Sequence, residues 1–276
     1  MRFGFVTCVG LGLSCMEEID AAGGHLDLVV TLRDELAPTK SGRVRVDDFC
    51  EAHGAELVKV ANINDPEAID AMRAAGLDWL FIIGWSQIAS PAVLEVARKG
   101  VLGMHPTLLP VGRGRASIPW AILKGLPQTG ITLFKLDQGI DTGPILAAET
   151  LEIAPDETAT TLYERVSEGH RRLIRRAWPD LEEDIPAFEP QDERLATTWP
   201  GRSPEDGRIS ADMSLAEVER LVRAVTHPYP GAFWPSTSGR RLRVWAGSLT
   251  RGSGPEIRLR GGSYFATDYE WETNGV

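Results

Sequence analysis

Trp79-Leu80-Phe81-Ile82-Ile83 is an unbroken apolar run of strand length, followed at once by Gly84-Trp85-Ser86-Gln87. A strand that is apolar at every position buries both faces, which marks a central strand of a parallel sheet covered by helices. The flanking sequence carries the matching alternation. Residues 3–8, 25–32 and 56–60 read as three earlier strands, the first of them a buried strand and not a signal peptide. Helices are expected between them at 15–22, 46–53 and 66–75, and after the fourth strand at 91–99. Asp65 is placed to cap the helix that starts at Pro66, a position where the missing N–H of proline does no harm. Repeated βα units predict an α/β fold with a doubly wound, mostly parallel sheet, and ligands of such sheets bind beyond the carboxyl ends of the strands. The loops after Cys8, Leu32, Ile83 and Met104 are therefore where chemistry is sought.

Beyond residue 150 the pattern changes. Residues 158–177 form a long helix candidate, with Leu162, Val166, Leu173 and Ile174 near a helical period. Residues 179–204 are rich in proline and charge and read as a linker. A helix at 214–225 carries Leu215, Val218, Leu221 and Val222 on one side, and 240–249 and 256–260 read as short strands between glycine-rich turns. The expected division is a catalytic domain over 1–200 and a small α+β or β-rich domain over 201–276.

Composition sets limits. Of 276 residues, 43% are apolar and 25% charged, as in soluble globular proteins. No apolar run reaches the ~18 residues that span a bilayer, so no membrane partner and a cytoplasmic location are expected. Three cysteines (Cys8, Cys15, Cys50) suit reduced thiols, and no metal-ligand spacing of Cys and His is present. The formal net charge of -10 disfavours a nucleic-acid partner, whose phosphates need Lys and Arg; residues 201–276 hold ten Arg against nine Asp and Glu. Gly10-Leu11-Gly12 stands between a strand and a helix, but Cys15 occupies the third glycine position of a dinucleotide fingerprint, so a classical dinucleotide loop is not expected.

The densest signal lies between residues 100 and 146. Gly103-Met104-His105-Pro106-Thr107-Leu108-Leu109-Pro110, Arg113-Gly114, Thr129-Gly130-Ile131-Thr132 and Asp141-Thr142-Gly143-Pro144-Ile145 follow one another in fixed order. Together they resemble the tetrahydrofolate-dependent formyltransferase family, whose motifs read Asn-x-His-x-Ser-Leu-Leu-Pro, Arg-Gly, Thr-Gly-x-Thr and Asp-x-Gly-x-Ile. The likeness covers about residues 1–200. A weaker one, at 202–209 and 228–233, is to the C-terminal domain of the methionyl-tRNA and nucleotide-sugar formyltransferases.

The resemblance implies a Rossmann-like formyltransferase that takes its formyl group from N10-formyltetrahydrofolate. It assigns catalysis to His105 and Asp141, with Gly103 where the family has its asparagine. It places the folate along Ile83, Gly84, Trp85, Ser86, Gln87 and Ile88, together with Leu102, Ile140 and Asp141. Gly10, Leu11, Gly12, Thr107, Arg113 and Arg115 are candidates for substrate contacts, the two arginines as partners for anions. A cis Leu109–Pro110 bond is a further expectation. The near-neutral tail points to a small-molecule amine, first a nucleotide-linked amino sugar and second a hydroxylated ornithine, with tRNA disfavoured and a homodimer left open. Position 103 departs from the pattern. Asn would donate to the developing oxyanion, a contact worth ~3 kcal/mol in comparable sites. At Gly103 three explanations stand: a donor from Ser86, Gln87, Thr107 or Thr132, a water in the vacated volume, or a folate-binding relative with altered activity.

Overall fold

The computed structural model describes residues 1–39, 42–235, 240–252 and 254–273. The chain divides into two compact units, the first of residues 1–113, 130–150 and 166–198, the second of residues 114–129, 151–165 and 199–276. The longest stretch of the second unit starts at 199, beside the expected boundary near 200, and two shorter upstream stretches belong to that unit as well.

The first unit is built on β1 (Phe3–Val6), β2 (Leu28–Leu32), β3 (Glu56–Val60), β4 (Trp79–Ile82) and β5 (Gly100–His105), which run parallel. The short β6 (Arg113–Gly114) precedes β7 (Gln128–Lys135) and β8 (Ile145–Glu152), which complete a seven-stranded sheet in the order β3-β2-β1-β4-β5-β7-β8. Only β7 is antiparallel to β5 among the registered pairs. Helices α1 (Gly10–Ala21), α2 (Asp47–His53), α3 (Pro66–Ala74) and α4 (Pro91–Leu94) connect the strands. Phe3, Phe5, Val29, Trp79 and Phe81 point to one face, where they pack with α1, α2 and Trp178 of α6 (Ala159–Glu182). Val6, Leu28, Val30 and Leu80 point to the other, against Met72 of α3 and Val93 of α4. The doubly wound sheet is thus as expected, and period-two alternation in apolar strands supplies both cores.

Several elements differ from the sequence reading. Helix α1 begins at Gly10, not at residue 15, because Gly12 has no Cβ to collide with Thr7 Oγ1, 1.9 Å from where it would stand. Helix α4 is a single turn that stops at Leu94. Asp65 holds the N-cap position of α3 without a side-chain cap; its carboxylate accepts from the Asn62 N–H at 2.9 Å. Helix α6 passes through Pro179 to Glu182, since Trp178 and Leu181 are anchored in the core and one lost backbone bond near the end is tolerated. Residues 189–197, read as linker, are docked on the first unit, as described below.

The second unit holds α5 (Ser117–Leu123), β9 (Thr198–Trp199) and α7 (Leu215–Val225), then β10 (Ala232–Pro235), β11 (Arg240–Ser248), β12 (Glu256–Leu259) and β13 (Gly262–Thr273) in a four-stranded sheet of order β10-β11-β13-β12. Its pairings are antiparallel. Helix α7 covers β11 and also packs on α5. A capping box, Ser214 with Glu217, starts α7. No helix among the described residues is long and apolar enough to cross a membrane.

Candidate active site

His105 is the last residue of β5, at the carboxyl edge of the sheet. Its Nε2 stands 2.8 Å from the Gly112 carbonyl oxygen, which can only accept, so Nε2 carries a hydrogen. That leaves Nδ1 as the nitrogen that gains or loses a proton, and it faces Asp141 Oδ2 at 3.5 Å. His105 is 7% exposed. Asp141 lies in the loop between β7 and β8 with φ of 55°, in the left-handed region. The structure therefore brings together the two residues that the motif singled out, although 36 positions separate them in the chain.

The loop after His105 is held at several points. Thr132, opposite His105 in the β5–β7 pair, donates its hydroxyl to the Thr107 carbonyl at 2.7 Å and accepts from the Leu109 N–H at 3.1 Å. The Leu109–Pro110 bond is cis, as expected. Thr197 accepts from the Gly112 N–H at 2.8 Å through its hydroxyl and from the Arg113 N–H at 2.9 Å through its carbonyl. The sequence reading missed Thr197 because it lies in the stretch that composition marks as a linker.

Position 103 is resolved in part. A Cβ there would lie 2.6 Å from Leu136 Cδ2, so Leu136 packs against the face of Gly103 where a side chain would begin. Gly103 also cannot offer its N–H. The Leu136 N–H bonds the Val101 carbonyl at 2.7 Å, and the alternation of an antiparallel ladder makes Gly103 and Phe134 the next hydrogen-bonded pair. Two of the proposed substitute donors are engaged elsewhere. Gln87 donates to the Ala61 carbonyl at 2.9 Å and accepts from the Ile63 N–H at 2.8 Å, and the Thr132 hydroxyl is held as described. Thr107 Oγ1 is buried with no hydrogen-bond partner among the described residues.

The remaining candidates sort by environment. Ile88 and Ile140, 78% and 62% exposed, are large apolar side chains left in water, the first on the loop after β4 and the second on the loop between β7 and β8. Gly84 turns the chain at φ of 70° beyond β4, and a Cβ there would meet Val9 Cγ2 at 2.4 Å, so the loops after β1 and β4 interlock. Trp85 donates its indole N–H to Gln87 at 3.2 Å, and Ser86 is exposed. Leu102 and Ile83 belong to the sheet core, so their side chains pack inward and do not line an open surface. Gly10, Leu11 and Gly12 are the first residues of α1. Arg115 is exposed in the second unit.

Arg113 is a correction. It was a candidate partner for an external anion, yet it is buried and four of its five N–H donors are engaged within the chain. Its guanidinium grips Glu193 at 2.6 and 2.9 Å and Gln191 Oε1 at 2.8 and 3.1 Å. The bond to Glu193 raises the Arg113 pKa and lowers that of Glu193. Behind the site, burial pushes His170 on α6 down to about 4, against its bond to the Val166 carbonyl and with a further push from His105. The three cysteines are buried; desolvation pushes Cys15 up to about 12 and Cys50 to about 11, which leaves these two poor nucleophiles. No group of potential metal ligands occurs among the described residues.

Comparison with known proteins identifies the family. The family described as "Formyl transferase" matches residues 20–177, and "Formyl transferase, C-terminal domain" matches residues 202–268. A methionyl-tRNA formyltransferase of Agathobacter rectalis is 31% identical over 257 residues, 92% of this chain and 82% of that one. Among solved structures, a sugar N-formyltransferase from a Shewanella species is similar with a TM-score of 0.72 at 16% identity, over 91% of this chain and 99% of that one. HypX from Aquifex aeolicus in complex with tetrahydrofolic acid is similar with a TM-score of 0.68 at 18% identity, over 98% of this chain and 44% of that one. At such identities the two structures bear on the fold alone.

Proposed function

The chain belongs to the formyl transferase family, and on that premise we propose that it moves a formyl group from N10-formyltetrahydrofolate to the primary amine of a nucleotide-linked amino sugar. The observation that carries the reaction is the pairing of His105 Nδ1 with Asp141 Oδ2 at the carboxyl edge of the sheet. The amine attacks the formyl carbon, a C–N bond forms, and the carbonyl electron pair moves to oxygen. Collapse of this tetrahedral species breaks the bond to N10 of the folate. One proton must leave the attacking nitrogen and one must reach the leaving nitrogen. An imidazole whose other nitrogen is fixed on Gly112 presents Nδ1 for both tasks: N–H donation to the oxyanion and transfer of the proton. Asp141 orients the ring and balances its charge when protonated.

For the formyl donor, support comes from the exposed Ile88, four residues after the backbone turn at Gly84, and from the exposed Ile140 in the loop that carries Asp141, apolar side chains that suit the cover of a flat heterocycle. Once Gln87 and Thr132 are set aside, two of the candidate hydroxyls remain for the oxyanion: Ser86, exposed on the loop after β4, and Thr107, buried two residues after His105. For the acceptor, support comes from charge. A chain of net charge -10 with a near-neutral tail lacks the surplus of cations that a tRNA backbone requires. The 31% identity to a methionyl-tRNA formyltransferase favours methionyl-tRNA as the second reading.

The test is a turnover screen. The chain is mixed with N10-formyltetrahydrofolate and, separately, nucleotide-linked amino sugars, hydroxyornithine and methionyl-tRNA, and release of tetrahydrofolate is followed with the mass of the acceptor. Formylation of an amino sugar is the expected result. Formylation of methionyl-tRNA alone overturns the choice of acceptor, and tight donor binding without turnover overturns the reaction.

A further inference from the structure

Gln191 uses every hydrogen-bonding position of its side chain. Its Nε2 donates to the Asp141 carbonyl at 2.9 Å and to the Gly143 carbonyl at 2.7 Å. Its Oε1 accepts from Arg113 Nε at 3.1 Å and Nη2 at 2.8 Å. A carboxamide has two donor hydrogens and two lone pairs, so all are satisfied, and the orientation of the amide is fixed. The carbonyls can only accept and the guanidinium can only donate; the flipped amide would clash with both. Arg113 is itself locked, gripping Glu193 and buried at 6% exposure.

The loop that Gln191 holds is one that would not keep its shape unaided. Asp141 has φ of 55°, in the left-handed region that a residue with a Cβ seldom adopts. Gly143 passes so close to the end of β7 that a Cβ would stand 1.8 Å from the Lys135 carbonyl oxygen. From this conformation the Asp141 carboxylate reaches His105, and the two bonds from Gln191 hold the backbone at Asp141 and two residues beyond it.

We propose that Gln191 is a positioning residue for the reaction: by clamping the Asp141 and Gly143 carbonyls, with Arg113 as its fixed anchor, it sets the Asp141 carboxylate against His105. The inference rests on the catalytic reading of the His105–Asp141 pair. A mere brace between the 189–197 segment and the body of the unit would involve the same contacts, so the variant must separate the two roles. Gln191→Glu does this. Its carboxylate still accepts from Arg113, which keeps the segment docked, but it presents acceptors to two carbonyls and releases the loop.

The experiment uses the full chain with three readouts. Amide hydrogen exchange over residues 137–144 is expected to quicken in Gln191→Glu while the melting temperature stays within a few degrees of the parent. Under turnover, kcat is expected to fall roughly 10- to 100-fold, the scale set by a misplacement of about 1 Å, with KM for the formyl donor little changed. In a double-mutant cycle, Gln191→Glu added to Asp141→Asn is expected to cost no further activity, because the clamp acts only through Asp141. Equal fold-losses in the presence and absence of the Asp141 carboxylate would overturn the proposal, and so would unchanged exchange at 137–144. If the parent chain turns over no amine, the catalytic reading fails, while the exchange result still decides whether Gln191 holds the loop. Should Gln191→Glu fail to fold, Gln191→Met, which removes all four bonds without adding charge, is carried through the same measurements.

Discussion

On the proposed reading, His105 and Asp141 divide the chemistry between a ring nitrogen that exchanges a proton and a carboxylate that orients the ring. His105→Ala is expected to lower kcat/KM roughly 10²- to 10⁴-fold, and Asp141→Ala by a similar order, the usual range for loss of an acid–base group. Steady-state assays alongside melting curves check this, since the fold should survive both changes. Gly103 gives a different kind of prediction. Gly103→Asn places a side chain against Leu136 and is expected to destabilise the chain by ~1–3 kcal/mol, as overpacking does. Leu136→Ala in the same chain should recover most of that loss, and urea unfolding of the single and double variants tests the pairing. At this scale the sequence was most informative where motif and spacing coincide, as at His105 and Asp141. It was least informative at Arg113, whose place in a motif told that it matters but not that Glu193 and Gln191 would occupy its donors.

Helix α6 carries the clearest pH dependence. His170 is held neutral by burial, with a folded pKa of about 4 against an ordinary 6.5. The unfolded chain therefore takes up a proton first as pH falls. Stability from this group is complete above pH 6.5 and is lost progressively toward pH 4, by at most about 3 kcal/mol at 1.36 kcal/mol per unit. Thermal unfolding from pH 7.5 to 4.5 should show a drop that is shallower in His170→Asn; equal slopes in the two proteins would exclude His170 as its source. The regular elements were legible where a periodic apolar pattern runs unbroken, as in β3, which matches its expected bounds, and α7, whose capping box is visible in the sequence. The pattern failed for β13, whose residues from Thr267 to Trp271 are all exposed and carry no alternation of burial. It failed also for the 189–197 segment, whose anchors are hydrogen bonds from Gln191 and Thr197 and not buried apolar residues.

On the scale of the molecule, the second unit draws on three stretches of chain. Helix α5, far upstream of the rest, packs on α7 and buries Ile118, Ala121 and Ile122. A fragment of residues 1–200 keeps α5 but loses α7, and each such isoleucine left in water forfeits about 1.5–3 kcal/mol of burial. The fragment is expected to aggregate or to melt well below the full chain in light scattering and calorimetry. A monomeric fragment with an unchanged melting temperature would mean that α5 does not depend on α7. A linear reading places a cut where composition shifts; it has no access to an upstream helix that finds its partner a hundred residues later.

By itself the sequence determined the wound parallel sheet and the order of its strands' apolar runs, and its motifs singled out His105 and Asp141 as a candidate pair, because period, strand length and motif spacing are local properties written in consecutive residues. Only the tertiary structure decided how that pair is served. It put Leu136 into the space beside Gly103, turned Arg113 inward to Glu193, and laid Gln191 across the Asp141 loop. Those outcomes depend on which atoms meet after the chain has closed on itself. Shape and hydrogen-bond geometry settle such meetings, and neither is recorded in the spacing of residues along the chain.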